Sequence, residues 1–315
     1  MHKNRKSTFG LSILAKLMAL VIVVSIALLA LRSTPVASTP VLSFPIHVYE
    51  EPAEAPVIPP CTYHLDEFFS QFGNDLAVFY KNLDTGFVYT FNPDVAFFTA
   101  SLNKAQHALY TYIAAERGYI DMYAMHTFTS EDFWGGTGII RFKPAGTRFT
   151  TRELLRHSIV YSDNIAYRML VRYMEQINFS YQDFATQLGT SDANNISVSD
   201  MALWLQAINN YVAADSNYGH YLLHDLLNTA EYSHPYFTRG GTFGGNGNVQ
   251  TQFIHSGYPV AQKYGWFTNA FNTAGIIKAP SPFMLVILSN MDDGAHELFR
   301  EISWRMHEFN ELAGS

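Results

Sequence analysis

A serine and a lysine lie three residues apart at the start of a predicted helix. Ser101 follows a short apolar run, and Lys104 comes one turn later on the same face of the helix. A serine hydroxyl is a weak nucleophile at neutral pH and needs a base that takes its proton. A lysine amine can be that base when burial or a nearby cation lowers its pKa. The spacing predicts an activated serine, although a helix start with a solvated lysine has the same pattern.

A second stretch, "YSDNIAYRML", places polar side chains just before another amphipathic helix. Ser162 can relay a proton, and the amide of Asn164 can hydrogen-bond a substrate carbonyl group. Helix capping explains the same residues, because Ser, Asp and Asn are preferred at helix N-termini. Both interpretations put these side chains at the beginning of a helix.

A third stretch, "AQKYGWF", carries Lys263 on a predicted apolar strand. Its ammonium group can be the cation that lowers the pKa of Lys104, although a strand lysine is usually solvated. Gly265 permits a ligand to approach the backbone closely. The backbone N–H of Trp266 can then act together with that of Ser101 as an oxyanion hole.

The elements that must position these residues follow from the hydrophobic pattern. Two apolar runs flank Asp84-Thr85-Gly86 and predict a β-hairpin. Helical patterns then run from Ser101 to about residue 235. One of these helices has a threonine N-cap at position 150 or 151 and Glu153 in its first turn.

The last part of the chain returns to strands. The segments "KYGWFT", "NTAGIIKA" and "PFMLVILSN" predict strands joined by short turns, and a closing helix begins at about Gly294. Strands from both ends of the chain must pair to satisfy their backbone groups, and the short connections favour an antiparallel sheet. The predicted fold class is α+β: an antiparallel sheet from both chain ends, flanked by helices, with an inserted all-helical lobe.

Composition narrows the possible functions. The chain has 315 residues, 48% of them hydrophobic and 15% charged, which is typical of a globular protein. The net charge is −7, and no Lys/Arg-rich stripe lies beyond the extreme N-terminus, so no nucleic-acid partner is expected. The single cysteine, Cys61, cannot form an internal disulfide.

The N-terminal part predicts a membrane location. Basic residues precede an apolar run from Leu17 to Leu31, so residues 1–32 are interpreted as a membrane anchor or a cleaved signal segment. Residues 33–62 form a Pro-rich extracytoplasmic linker, and residues 63–315 form the folded domain. We expect a single-pass protein of the cell membrane with an extracytoplasmic body, or a secreted protein if the segment is cleaved.

Ser-x-x-Lys, Ser-Asp-Asn and Lys-x-Gly, in this order, resemble the signature set of the penicillin-recognising serine enzymes. The segments "GTGIIRFKPAGTRFTTRELLRHSIVYSDNIAYRML" and "SGYPVAQKYGW" are similar to the class A β-lactamase branch of that superfamily. The resemblance covers residues 63 to 312 and implies the β-lactamase/transpeptidase fold. It implies a serine hydrolase that forms an acyl-enzyme, with no metal and no organic cofactor.

The resemblance also implies a role for each matching residue. Ser101 is the acylated nucleophile, Lys104 its base, and Ser162 the proton shuttle to the leaving nitrogen. The substrate-binding residues are Asn164 for the substrate amide, Lys263 for its carboxylate, Gly265 beside the substrate, and Trp266, whose N–H completes the oxyanion hole with that of Ser101.

Two departures from the family pattern bear on the mechanism. Class A β-lactamases carry a Glu-x-x-Leu-Asn loop whose glutamate activates the deacylating water. The corresponding interval here, "GTSDANNISV", is much shorter, and its only acid is Asp192. Tyr264 stands where the family usually has a smaller hydroxyl residue after the lysine, which puts the usual carboxylate clamp in doubt.

These departures predict an enzyme that acts on a β-lactam amide or a D-alanyl peptide bond and that releases the acyl group from its serine slowly. The expected partners are therefore a β-lactam or a peptidoglycan stem peptide, together with the cytoplasmic membrane through the N-terminal helix. The alternative is a non-hydrolytic sensor or scaffold that binds penicillins or wall fragments.

Overall fold

The computed structural model describes residues 61–177, 181, 185–186, 188–190, 194–229, 238–239, 252–253 and 256–313. The predicted anchor at residues 1–32 lies outside this set, as does nearly all of the predicted linker at residues 33–62, so both remain predictions. Among the described helices, none is long and apolar enough to cross a membrane.

The described α-helices are α1 (Tyr63–Ser70), α2 (Asn103–Glu116), α3 (Thr151–Val160), α4 (Asn164–Gln176), α5 (Val198–Ala213), α6 (Gly219–Leu227) and α7 (His296–Ala313). The described strands are β1 (Leu76–Asn82), β2 (Val88–Phe91), β3 (Phe97–Phe98), β4 (Met125–Thr127), β5 (Arg148–Thr150), β6 (Asn195–Ile196), β7 (Thr238–Arg239), β8 (Gln252–Phe253), β9 (Val260–Phe267), β10 (Ala270–Ile277) and β11 (Phe283–Ser289).

The main sheet joins the two ends of the folded part. Its five strands lie in the order β2-β1-β11-β10-β9, and each neighbouring pair is antiparallel. The register between β1 and β11 pairs Leu76 with Ser289 and Asn82 with Phe283. The predicted α+β fold is confirmed, including the hairpin of β1 and β2 and the three late strands.

The core lies on both faces of the sheet. On one face, α1 and α7 cover the strands with apolar side chains that include Phe69, Phe299, Ile302, Met306 and Phe309. On the other face, α5 and α6 bring Met201, Leu205 and Leu226 against Ala261 and Ala274 of β9 and β10. Central strands β10 and β11 are buried along their whole length because both faces are covered.

The helical lobe lies in sequence between β2 and β9 and differs in detail from the prediction. A hairpin of β4 and β5 interrupts the helices. The helix predicted to begin at Ser101 starts as a 3₁₀ turn at Ala100–Leu102, and the α-helix begins at Asn103. The closing helix begins at His296, after a 3₁₀ turn at Asp293–Ala295.

The Thr150 cap was predicted from the sequence and is present. The Thr150 hydroxyl accepts a hydrogen bond from the Glu153 N–H, while the Glu153 carboxylate accepts one from the Thr150 N–H. This capping box begins α3, whose C-terminal end leads directly into Ser162.

Candidate active site

The predicted nucleophile and base meet at the start of α2. The Lys104 Nζ lies 3.0 Å from the Ser101 Oγ. Lys104 lies just inside α2 and Ser101 on the 3₁₀ turn before it, so the two side chains share one face of this turn. Lys104 is only 3% exposed. The sequence prediction that these two side chains meet is therefore matched by the geometry.

The hydrogen bonds of Lys104 suit an uncharged amine. Its Nζ donates to the Ser162 carbonyl oxygen at 2.6 Å and to the Asn164 Oδ1 at 2.7 Å. A neutral amine has two N–H groups and one lone pair. These two acceptors use both N–H groups, which leaves the lone pair for the hydroxyl proton of Ser101.

Burial is the main cause of the altered basicity of Lys104. It lowers the pKa of this amine to about 7, while the nearby Asp163 carboxylate acts in the opposite direction. Of the two causes considered from the sequence, burial and the cation of Lys263, burial is therefore the one that lowers this pKa. Burial and then the charge of Lys104 hold the pKa of Lys263 well below its usual value.

Ser162 lies between the two lysines. Its Oγ is 3.2 Å from the Lys104 Nζ and accepts a hydrogen bond from the Lys263 Nζ at 3.0 Å. Lys263 also donates to the Tyr264 carbonyl oxygen at 2.8 Å and is only 1% exposed. A chain of groups that can exchange protons therefore runs from Ser101 through Lys104 to Ser162.

The backbone is strained at two positions of the active site. Ala100, directly before the nucleophile, has φ of 47°, and Ser162 has φ of 49°. Left-handed backbone is unfavourable for residues with a Cβ and persists only where the surrounding structure holds it. At Ser162 that support includes its carbonyl oxygen, which accepts hydrogen bonds from Lys104 and from the Thr137 hydroxyl.

Asp163 is a positioning residue: it forms the helix cap that the sequence offered as an alternative, and it makes further contacts that sequence reasoning did not supply. Its fully buried carboxylate caps α4 by accepting hydrogen bonds from the Ile165 and Ala166 N–H groups. The other oxygen accepts from the Ile139 and Ile140 N–H groups at 2.6 and 2.8 Å. Asp163 thereby joins the helix that carries Asn164 to the loop in front of it.

The glycines of "WGGTG" explain how that loop comes so close. A Cβ added at Gly138 would collide with the Asp163 carboxylate, and one at Gly136 would lie 2.7 Å from the Asn164 Nδ2. Both glycines have positive φ, of 96° at Gly136 and 120° at Gly138. The closely spaced glycines were the sequence signal that this loop could approach the start of α4 closely.

Asn164 is fixed by the same loop. Its Nδ2 donates to the Gly135 carbonyl oxygen at 2.8 Å, while its Oδ1 accepts from Lys104. One amide N–H is thus used within the protein, and the second is the group that can meet the substrate amide predicted from the sequence.

Gly265 lets β9 pack directly against the nucleophile turn. A Cβ at this position would collide with the Thr99 carbonyl oxygen and would lie 2.9 Å from the Ser101 N and 3.0 Å from the Leu102 N. The close approach that was predicted here is therefore to the protein's own backbone. It brings the edge strand β9 against the turn that carries Ser101, and the oxyanion role of the Trp266 N–H stays a prediction.

Tyr264 does not replace the expected small hydroxyl residue. Its side chain belongs to the hydrophobic core beside Phe253 and Phe271, and it is almost fully buried. The ring also lies against the end of the Lys263 side chain, with 4.2 Å from the Nζ to the ring centroid. The residue supports Lys263 rather than lining an accessible carboxylate clamp.

The end of the short interval before α5, from Asn194 to Ile196, lies against the nucleophile segment. The Asn194 carbonyl oxygen accepts a hydrogen bond from the Thr99 N–H at 2.8 Å, and β6 pairs with β3 through Phe97 and Ile196. Asp192, the only acid of this interval, lies outside the described residues.

The sequence and the fold were compared with those of known proteins. A family model described as the β-lactamase enzyme family matches residues 61–309. No curated protein matches the sequence.

Solved structures with the same fold include PBP-A, a mutant of which forms an acyl-enzyme complex with penicillin G. That structure has a TM-score of 0.68 and 17% identity, and the match covers 82% of this chain and 100% of that one. A β-lactamase from Sphaerobacter thermophilus has a TM-score of 0.64 and 18% identity, over 80% of this chain and 99% of that one. A β-lactamase from Chitinophaga pinensis has the same TM-score and 20% identity, over 80% and 98%.

Proposed function

The chain belongs to the β-lactamase enzyme family, and from this premise we propose that it is a serine hydrolase that works through an acyl-enzyme at Ser101. The substrate is a β-lactam amide or a D-alanyl peptide bond. The observation that carries the proposal is the 3.0 Å distance between the Ser101 Oγ and a buried Lys104 amine with a pKa of about 7.

Acylation proceeds in three proton transfers. The Lys104 lone pair takes the proton of Ser101, whose Oγ attacks the substrate carbonyl carbon. The backbone N–H groups of Ser101 and Trp266 stabilise the resulting oxyanion. Ser162 gives its proton to the leaving nitrogen as the C–N bond breaks and takes the proton held by Lys104, so that the amine is neutral again.

Release of the acyl group is proposed to be slow. The interval from Gly189 to Val198 contains no glutamate that could activate a water against the ester. Loss of a positioned general base lowers a rate by about 100- to 10,000-fold. Slow release suits a peptidase of cell-wall peptides better than an efficient β-lactamase, and it leaves a penicillin-binding sensor as the second candidate.

The sequence supports an extracytoplasmic location for this chemistry. A basic segment followed by an apolar run precedes the folded part, as in an anchored or exported protein. Peptidoglycan lies just outside the cytoplasmic membrane, so its stem peptides would be within reach of the domain.

The test is acylation of the full chain, in detergent, by a fluorescent penicillin. Labelling is followed on a denaturing gel and by intact mass, and we expect a stable adduct that disappears in Ser101→Ala. Label lost within seconds would contradict slow deacylation. No label at high penicillin concentration would contradict the assignment. Turnover of a synthetic stem peptide then separates a peptidase from a sensor.

A further inference from the structure

Positive charge is concentrated in one segment of an otherwise acidic domain. Residues 61–315 contain 15 Lys/Arg and 24 Asp/Glu, which gives a net charge of −9. Residues 141–172 within them contain seven Lys/Arg and two Asp/Glu, which gives a net charge of +5. These basic residues are spaced along the chain and form no continuous run, so the fold decides whether they share a surface.

Most of these cations are exposed and lack a carboxylate partner. Arg152 and Arg172 each form an ion pair with a buried aspartate. The other five are exposed, and within the described part of the chain none of them forms an ion pair: Arg141, Lys143, Arg148, Arg156 and Arg168. The two acids of the segment do not pair with them, because Asp163 is buried and Glu153 is held in the cap of α3.

Two of the exposed cations lie on aromatic rings that are also exposed. The Arg168 guanidinium group lies 5.6 Å from the centroid of the Trp134 ring, and that of Arg141 lies 4.8 Å from the centroid of Phe142. Trp134 is 52% exposed and Phe142 is 73% exposed. The Arg141 Nη1 also donates to the Gly136 carbonyl oxygen at 2.6 Å, which brings it within two residues of Trp134. The two cation–aromatic pairs therefore belong to one loop surface.

Two further exposed cations, Lys143 and Arg156, lie beside this loop. Burial lowers the pKa of the His157 imidazole, although the Asp163 carboxylate opposes the shift. The positive charges of Arg156 and Lys143 lower this pKa further, so both cations lie near the ring. The His157 carbonyl oxygen accepts a hydrogen bond from the Asp163 N–H at 3.1 Å, and the Asp163 carboxylate accepts one from the 3₁₀ turn Ile140–Phe142. Asp163 thereby holds both cations next to the loop that carries the aromatic rings.

The composition of this surface indicates what it can bind. We call it the basic aromatic surface, and it consists of Trp134, Arg141, Phe142, Lys143, Arg156 and Arg168. Exposed cations attract any polyanion, but exposed aromatic rings favour a partner that also offers an apolar layer. An anionic lipid bilayer offers both, because its headgroups attract Lys and Arg while aromatic rings insert at the level of the headgroups. The same headgroups repel the acidic remainder of the domain, so the charge asymmetry turns this surface toward the bilayer.

We propose that the basic aromatic surface docks the domain on an anionic lipid bilayer. A bilayer would be nearby, because the sequence predicts a membrane anchor at residues 1–32 and a linker at residues 33–62. Docking would hold the active site close to the lipid, because the loop that carries Trp134 contacts Asn164 through the Gly135 carbonyl oxygen. The inference concerns the position of the domain and does not depend on the acyl-enzyme chemistry.

The test measures contact between Trp134 and lipid. The full chain is reconstituted in vesicles of phosphatidylcholine, with or without phosphatidylglycerol, whose brominated acyl chains quench an indole only on contact. A linker of the predicted length spans about 30 Å or more, so an undocked domain rarely meets the quencher. We expect quenching in the anionic vesicles that is largely lost in Trp134→Phe, which keeps an aromatic ring without the indole. Trp304→Phe, which removes an exposed indole from α7, should leave the quenching unchanged.

The role of charge is tested by a matched pair of variants. Lys143→Glu/Arg156→Glu should lower the ratio of docked to undocked domains by about 30-fold or more, because each Lys or Arg near an anionic surface strengthens binding roughly fivefold. Arg117→Glu/Lys278→Glu changes the net charge equally at exposed positions outside the basic aromatic surface and should have a much smaller effect. Raising the salt concentration from about 0.05 M to about 0.5 M should release the unsubstituted domain as well.

Several results would contradict docking on a bilayer. Equal quenching in neutral and anionic vesicles would overturn it, as would anionic quenching that survives Lys143→Glu/Arg156→Glu with the melting temperature retained. If the chain binds soluble polyphosphate but anionic vesicles do not quench Trp134, the surface serves a soluble polyanion and the assignment to lipid is wrong. Acylation of Ser101 by a penicillin is measured separately, so the proposed function can stand or fail on its own.

Discussion

At the scale of single residues, the chemistry depends on an amine that is kept uncharged. Lys104 lies among a serine hydroxyl, a backbone carbonyl group and an amide oxygen, and burial makes its charged form unfavourable. The sequence predicted the pair of Ser101 and Lys104 from spacing alone. It named burial and a nearby cation as possible causes of the pKa shift but could not decide between them, because burial arises from packing between segments that are distant in the chain.

The rate of acylation should depend on pH through Lys104. Its pKa of about 7 means that the amine is protonated below neutral pH and free above it. We therefore expect the rate constant for acylation by a penicillin to rise with pH, with a midpoint near 7, and to level off above it. Below the midpoint, the rate constant should rise about tenfold per pH unit. Stopped-flow measurements between pH 5 and pH 9 check this. A flat profile would contradict a lysine base.

Removing the charge of Asp163 should move that midpoint. The carboxylate raises the pKa of Lys104, so Asp163→Asn should lower the pKa and shift the acylation profile toward lower pH. The position of the midpoint, rather than the maximal rate, is the measurement, because a purely structural effect would lower the rate at every pH. Glu153→Gln, which removes an exposed carboxylate from the α3 cap, is the control for an unspecific charge effect.

At the scale of elements, short turns and helix ends hold the site together. The hairpin around Asp84-Thr85-Gly86, the Thr150 cap and the three late strands were predictable, because each is encoded by neighbouring residues. Helix α1 and the 3₁₀ turn at Ala100–Leu102 were not predicted. That turn is stabilised by contacts with Asn194 and with β9, which a local pattern does not contain.

The approach of β9 to the nucleophile turn predicts a strict requirement for glycine at position 265. Gly265→Ala adds a methyl group that must displace either the Thr99 carbonyl oxygen or the strand. We expect acylation by a penicillin to slow by about 100-fold, since a displacement of about 1 Å at a reacting group has an effect of that size. Gly73→Ala, in a turn where an added Cβ meets no atom within 4 Å, should leave acylation unchanged. A Gly265→Ala protein with normal rates would contradict the packing described.

The Asp163 carboxylate should also stabilise the fold, because it accepts hydrogen bonds from four backbone N–H groups. In Asp163→Asn, one of the two oxygens becomes an NH₂ group that cannot accept. Two backbone N–H groups then lose their partner, and we expect a loss of about 3 kcal/mol in the free energy of unfolding. Urea denaturation monitored by circular dichroism measures it. A change within about 0.5 kcal/mol would contradict the buried geometry.

At the scale of the whole molecule, the sheet needs both ends of the folded part. The apolar runs predicted the five strands of the main sheet, but the register of Leu76 with Ser289 depends on contacts across more than half of the chain. The insertion of the helical lobe followed from the order of elements. Its exact contacts with β9 and β10, which bury Lys263, could not be derived from that order.

Helix α7 should be essential for stability although it lies far from the site in sequence. Phe299 is fully buried and packs edge to face on Phe271 of β10, with ring centroids 4.7 Å apart. We expect Phe299→Ala to lower the free energy of unfolding by about 3–5 kcal/mol, as for other large core side chains. Leu312→Ala, at an exposed position near the end of the same helix, should have little effect. Thermal unfolding of the two variants decides the comparison.

The pairing of β1 with β11 also has a consequence for the order of assembly. During synthesis, β1 leaves the ribosome more than 200 residues before the strand that completes its hydrogen bonds, as the register of Leu76 with Ser289 requires. Its apolar residues remain without their partner strand until β11 has been synthesised. A polypeptide with this topology cannot complete its main sheet for as long as β11 is missing, and a chain without a completed sheet can still be threaded through a narrow channel.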